Sequence, residues 1–257
     1  MQKLFNEKIK WLMAVPLAMF MAGCGGSDGG GGIGIAGLDA GAPTVSSTDP
    51  ADTETGVAIN QNIIATFSEA MNPTTITPTT FIVIQQGVAA VPGTVTYVGT
   101  VAKLTLTRDL IPNSIVTAMI TTGVTDLAGN AMAANKTWSF TTGATADTTL
   151  PTVSSTSPAN LATDVAINQS ITATFSEAMD PTTITPTTFT VMQGITPIPG
   201  TVTSVGGGGA GGSVATFNPT SNFPPSTVVA VTITTGVTDL AGNALAANKT
   251  WSFTTGP

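Results

Sequence analysis

The 257-residue sequence predicts an all-β protein, in which two tandem β-sandwich domains of about seven strands each follow a leader and a disordered, Gly-rich tether. Three observations predict this. The second half of the chain restates the first nearly residue for residue. Apolar and polar residues alternate with a period of two, the spacing of a strand with one buried face. Nothing after position 42 sustains the apolar stripe of an amphipathic helix.

The repeat sets the domain plan. Pro43 to Thr48 returns as Pro151 to Thr156, and Ala65 to Met71 as Ala173 to Met179, at one constant offset. Pro73 to Phe81 returns as Pro181 to Phe189 with the same offset. Thr121 to Ala131 then returns as Thr234 to Ala244, and Ala133 to Gly143 as Ala246 to Gly256, at an offset larger by five. The five extra residues fall around Gly206–Gly212, and a tolerated insertion marks an exposed turn between strands. The plan is a leader at 1–23, a tether at 24–42, a first copy at 43–143, a linker at 144–150 and a second copy at 151–257. Each copy is about the size of one domain. The linker is short and polar, which leaves limited hinge freedom.

The strands can be taken in order. Pro43–Ser47 opens the first copy. Ile63, Ala65 and Phe67 face inward and alternate with Asn62, Ile64 and Thr66; Ile171, Ala173 and Phe175 repeat the pattern. Phe81–Ile84 and Val95–Val98 follow. Ala102, Leu104 and Leu106 face inward against Lys103, Thr105 and Thr107. Val116, Ala118 and Ile120 match Val229, Val231 and Ile233. Trp138, Phe140 and Thr142 end the copy on the inward face, so Trp138 and its counterpart Trp251 are core anchors before they are sugar-stacking platforms.

Composition excludes more than it suggests. The chain carries 7 Lys+Arg against 14 Asp+Glu, no His and a single Cys. There is no imidazole base, no His-ligated metal, no internal disulfide and no Cys-ligated zinc. So few cations argue against a phosphate-binding surface, and no nucleic-acid partner is expected. The residue types point away from an enzyme.

The segment from Met1 to Cys24 reads as an address. Lys3, Lys8 and Lys10 precede the apolar run from Trp11 to Met21, which is too short to span a bilayer but suits a signal-peptide core. Met21-Ala22-Gly23-Cys24 closes the segment, which resembles a bacterial lipoprotein signal, with Met21 where Leu is more usual. The resemblance implies that Cys24 becomes the acylated first residue of the mature chain and ties it to the membrane. With Gly25 after it, the resemblance further implies an outer-membrane or cell-surface location. Removing residues 1–23 takes three Lys and one Glu from the 7 basic and 14 acidic residues, which leaves 4 and 13 and a net charge of −9.

Phe67-Ser-Glu-Ala-Met-Asn-Pro73, then Thr125-Asp-Leu-Ala-Gly-Asn-Ala131 and a final Trp138-Ser-Phe-Thr-Thr142, resembles the bacterial Ig-like domain of S-layer (SbsA) type, and both copies carry the pattern. The resemblance implies an extracellular, non-catalytic module with a structural, spacer or adhesion role. Its partner would be an envelope polymer or another surface protein. In that fold the B–C and F–G loops emerge at one end, which would gather Glu69, Asn72, Asp126 and Asn130, and again Glu177, Asp180, Asp239 and Asn243. Two readings of these oxygens stand. They can satisfy their own turns, with Asp126 closing an Asx-turn before Gly129. They can also hold a structural Ca²⁺, which prefers several oxygen ligands at once. The alternative to a spacer is therefore a calcium-stabilised or carbohydrate-binding surface protein using these loop ends. Outward threonines such as Thr94 and Thr96 are explained by strand propensity. Glu69 with Asp126 is weak evidence for a glycosidase pair.

Overall fold

The computed structural model describes residues 41–85, 90–206 and 212–257. The leader, Cys24 and the tether through position 40 fall outside these residues, as do positions 207–211 of the glycine insertion. Among the described residues there is no α-helix, and each copy is a pair of sheets closed over one apolar core.

The first copy contains β1 (Val45–Asp49), β2 (Thr55–Val57), β3 (Ile63–Phe67), β4 (Phe81–Gln85), β5 (Gly93–Val98), β6 (Val101–Leu106), β7 (Ile115–Ile120) and β8 (Lys136–Thr142). One sheet runs β1-β3-β6-β5 and the other β2-β8-β7-β4. The second copy contains β9 (Val153–Ser157), β10 (Ala162–Val165), β11 (Ile171–Phe175), β12 (Phe189–Gln193), β13 (Thr196–Pro197), β14 (Gly200–Val205), β15 (Val214–Pro219), β16 (Val228–Ile233) and β17 (Lys249–Thr255). Its sheets run β14-β15-β11-β9 and β10-β17-β16-β12-β13. Two strands beyond the sequence reading, β2 and β10, pair in parallel with the last strand of their copy. At three and four residues they are too short for alternation to show. The hairpin strand β13 brings the second copy to nine.

The alternating residues build the cores as expected. Ile63, Ala65, Phe67, Val116, Ala118, Ile120, Trp138 and Phe140 are all at most 2% exposed. Phe81 packs on Trp138 with ring centroids 6.0 Å apart, and Phe189 on Trp251 at 6.2 Å. The buried Thr142 hydroxyl donates to the Ile111 carbonyl at 2.7 Å, and Thr255 does the same to Pro224 at 2.7 Å. Gln85, fully buried, donates to the Ile111 carbonyl and accepts from the Ile111 N–H, both at 2.9 Å. Buried polar groups left unpaired would cost about 1–3 kcal/mol each, and these are paired.

Two outward assignments fail, because Asn62, 8% exposed, and Ile64 are both buried. Alternation places Ile64 toward solvent, yet it is 3% exposed without belonging to the first copy's core. It lies at a cleft shared with the second copy, beside Met179 and Leu240. Its counterpart Thr172 is half-buried. Tertiary packing between the copies overrides the pattern within one strand.

Candidate functional site

The loops after β3 and β7 do meet. Met71 bridges Asp126 in antiparallel fashion, and the Asn72 N–H donates to the Thr125 carbonyl at 2.9 Å. Asn72 also caps a 3₁₀ turn, Pro73–Thr75, its Oδ1 accepting from the Thr74 N–H at 3.1 Å and hydroxyl at 2.8 Å. Proline at the turn's first position suits its fixed φ. Asp126 Oδ1 accepts from the Asn130 N–H at 2.8 Å, and Oδ2 from the Asn130 side-chain amide at 2.7 Å. Burial works to raise the Asp126 pKa, but the bonds from Asn130, Ala128 and Gly129 outweigh it and hold the carboxyl below its ordinary value. Glu69 is half-buried in the bend after β3.

The second copy builds the same turns. Met179 bridges Asp239, Asp180 Oδ1 takes the Thr182 N–H at 2.9 Å, and Asp239 takes the Asn243 N–H and side-chain amide at 2.8 Å each. Its surroundings differ. Carboxylate oxygens of Asp147, Glu177 and Asp239 lie within 4.8 Å of one another. Glu177 Oε1 is buried with no hydrogen-bond partner among the described residues. Burial, then the negative charges of Asp147 and Asp239, push the Glu177 pKa up to about 7. Asp239 is also raised, by burial first, despite its bonds to Asn243. The same turn thus has opposite electrostatics in the two copies.

Asp147 belongs to the linker, and sequence reasoning missed it. A signal was present: Asp39 occupies the same phase of the preceding repeat, outside the described residues.

A family model described as the bacterial Ig-like domain matches residues 39–142 and 147–255, both copies nearly in full. The chain belongs to that family. No curated protein matches the sequence. Among solved structures, the Ig-like copies are similar to the N-terminal part of the bacterial S-layer protein SbsC, at 15% identity and a TM-score of 0.33, over 82% of this chain and 44% of that one. They are also similar to CopC from Methylosinus trichosporium OB3b, at 10% identity and a TM-score of 0.32, over 39% of this chain and 93% of that one. The LD transpeptidase LdtMt1 gives 16% identity and a TM-score of 0.29, over 59% of this chain and 61% of that one.

The linker between the Ig-like copies is tied down on both sides. The Ile59 N–H donates to the Thr145 carbonyl at 3.3 Å, and Asn60 exchanges two bonds with the Asp147 backbone at 2.8 and 2.9 Å. The Asn243 amide reaches the same Asp147 carbonyl at 3.2 Å. Direct contacts follow: the Asn62 N–H donates to the Leu240 carbonyl at 2.8 Å, and Lys103 Nζ pairs with Asp180 Oδ2 at 2.7 Å. Between the copies lies a cleft of about 570 Å³. One wall includes Asp49, Ile64 and Val101, the other Met179, Ile184 and Leu240. The set foreseen from sequence is therefore divided in use: Asn72, Asp126 and Asn130 serve their turns, Asp180 reaches Lys103, and Glu177 with Asp239 joins Asp147.

Proposed function

We propose that the protein is an exported, non-catalytic envelope module, held to the membrane by acyl chains on Cys24 and presenting two Ig-like sandwiches as a spacer or adhesion element. The observation that carries this reading is the pairing of a lipobox-like Met21-Ala22-Gly23-Cys24 with two consecutive copies of a bacterial Ig-like domain. Between them lies a glycine-rich segment whose composition offers little apolar burial. The partner is an envelope polymer or another surface protein. Expression in a Gram-negative host is expected to yield a membrane-associated chain whose N-terminal peptide begins at an acylated Cys24 by mass spectrometry. Cys24→Ser should leave the protein unacylated and soluble after export. A mature chain that begins elsewhere, or an unmodified Cys24, would refute the anchor.

A second reading, calcium stabilisation of the second copy, is favoured by the three carboxylates gathered from the linker and both loops. A cation would offset the burial and the repulsion that together raise Glu177. Millimolar calcium is then expected to raise the calorimetric melting temperature of the second copy, and Asp239→Ala to abolish the increase. An unchanged thermogram with calcium would dismiss this reading.

A further inference from the structure

The internal repeat supplies its own control, because each position can be compared with its counterpart on the same fold. Most outward residues are alike in the two copies. Several of those facing the other copy are not. Ile64 on β3 corresponds to Thr172, and Lys103 on β6 to Thr216. Asp180 after β11 corresponds to Asn72. Leu240 and Leu127 are the same residue at the same turn, yet Leu240 is 7% exposed and Leu127 is 72% exposed.

We infer that the outer face of β3 and β6 in the first copy and the loop end of the second copy form an order-specific docking pair, which fixes the two sandwiches as one rigid unit. The first copy's face offers an apolar contact at Ile64 and a cation at Lys103. The second copy's loop end offers Leu240 and a carboxylate at Asp180. The reverse docking would keep a leucine, Leu127, but lacks the apolar contact on the face and both charges. The second copy's face carries Thr172 and Thr216, and the first copy's loop end carries Asn72. Contacts of this kind do not propagate to a third module built like the second. Asp180 is 1% exposed, so its charge is compensated by Lys103 and by the Thr182 N–H and hydroxyl. Lys103 keeps 18% of its side chain exposed while Asp180 is buried, so losing Lys103 alone strands a buried charge and is more disruptive than losing both partners. The inference stands independently of the envelope reading, because it concerns how the copies meet and not where the protein resides.

The test is a double-mutant cycle on the full chain. The Asn62 amide reports the joint, because its acceptor is the Leu240 carbonyl of the other copy. Its hydrogen exchange by NMR is expected to be protected in the wild type. Lys103→Thr, which strands the buried Asp180 charge, should speed that exchange about tenfold or more. The double variant Lys103→Thr with Asp180→Asn should return it to within about threefold of wild type. Asn72→Asp, the matching change at the undocked loop end, should leave it unaltered. Amides in β7 and β16 serve as the folding control and should keep their protection throughout. An unprotected Asn62 amide in the wild type, an unchanged rate in Lys103→Thr, or a double variant as fast as the single one would overturn the inference.

Discussion

Trp138→Ala is expected to destabilise the first copy by about 3–5 kcal/mol, the range for truncating a fully buried large aromatic. Trp138 is 2% exposed and stacks obliquely on Phe81 at a 50° interplanar angle. Its indole N–H finds no hydrogen-bond partner among the described residues, so the ring contributes through packing and burial rather than through a polar bond. Trp138→Phe should therefore cost less than the alanine change, since it retains an aromatic body and removes an unpaired donor. Urea unfolding offers a clean readout. In Trp138→Ala the Trp251 fluorescence, inside the second core, reports the second copy alone if the tryptophan of the leader has been removed. The first copy's transition, followed by circular dichroism, should move to lower urea, while the Trp251 transition moves by the smaller amount that docking contributes. A loss below about 1 kcal/mol would contradict the assignment of Trp138 as a core anchor.

Asp49→Asn is expected to stabilise the protein at neutral and alkaline pH. Asp49 lines the interdomain cleft, and burial, reinforced by the negative charge of Glu54, raises its pKa from 3.8 to about 7 against the opposing Gln61 bond. The sign follows from linkage. The folded state holds this proton more tightly than the unfolded chain does, so stability falls as pH rises from about 4 to about 7 and stays low above that. Asparagine carries no charge and can still accept from Gln61 Nε2, which lies 2.8 Å from Asp49 Oδ1. The gain should be near zero at pH 3 and about 4 kcal/mol at pH 8. The second copy carries Ser157 at the matching position and has no such penalty. A variant whose stability tracks wild type across the whole range would rule out a half-buried Asp49 that resists ionisation.

The all-β, two-copy plan was legible in the sequence because repetition and period-two burial are both simple patterns. Phe67, Ala118 and Phe140 could be assigned inward without knowing what they touch. The meeting of the loops around Asp126 and Asp239 was legible through the family resemblance, which implies that the B–C and F–G loops emerge at one end of the sandwich. Apart from the short strands β2, β10 and β13, what escaped lies between the copies. Ile64 alternates as an outward residue and is covered by a surface that belongs to the other copy. Asp147 looked like ordinary linker polarity, because nothing within the linker itself reveals that Asn60 and Asn243 both seize its backbone. Lys103 and Asp180 could have been found by asking where the two copies disagree, a comparison that alternation within one strand never makes. Cys24 and its leader remain a matter of sequence alone, outside the described residues.

The short parallel strands bear on how the module would carry load. In the first copy, Thr53 N–H donates to Ser139, Thr141 N–H to Glu54 and Gly143 N–H to Val57, at 2.6, 2.8 and 2.7 Å. These bonds join the segment that follows β1 to the strand by which the chain leaves the copy. Because β2 and β8 are parallel, tension passed through β1 to β2 and opposed at the end of β8 would slide them past each other lengthwise. All the bonds are then strained together, where an antiparallel hairpin pulled open from one end would lose them singly. The second copy repeats the arrangement through Leu161 to Ser252 and Gly256 to Val165, at 2.7 and 2.9 Å. Strands too short to add much to the core thus join entry segment to exit strand once in each sandwich, in a geometry that tension would load in shear.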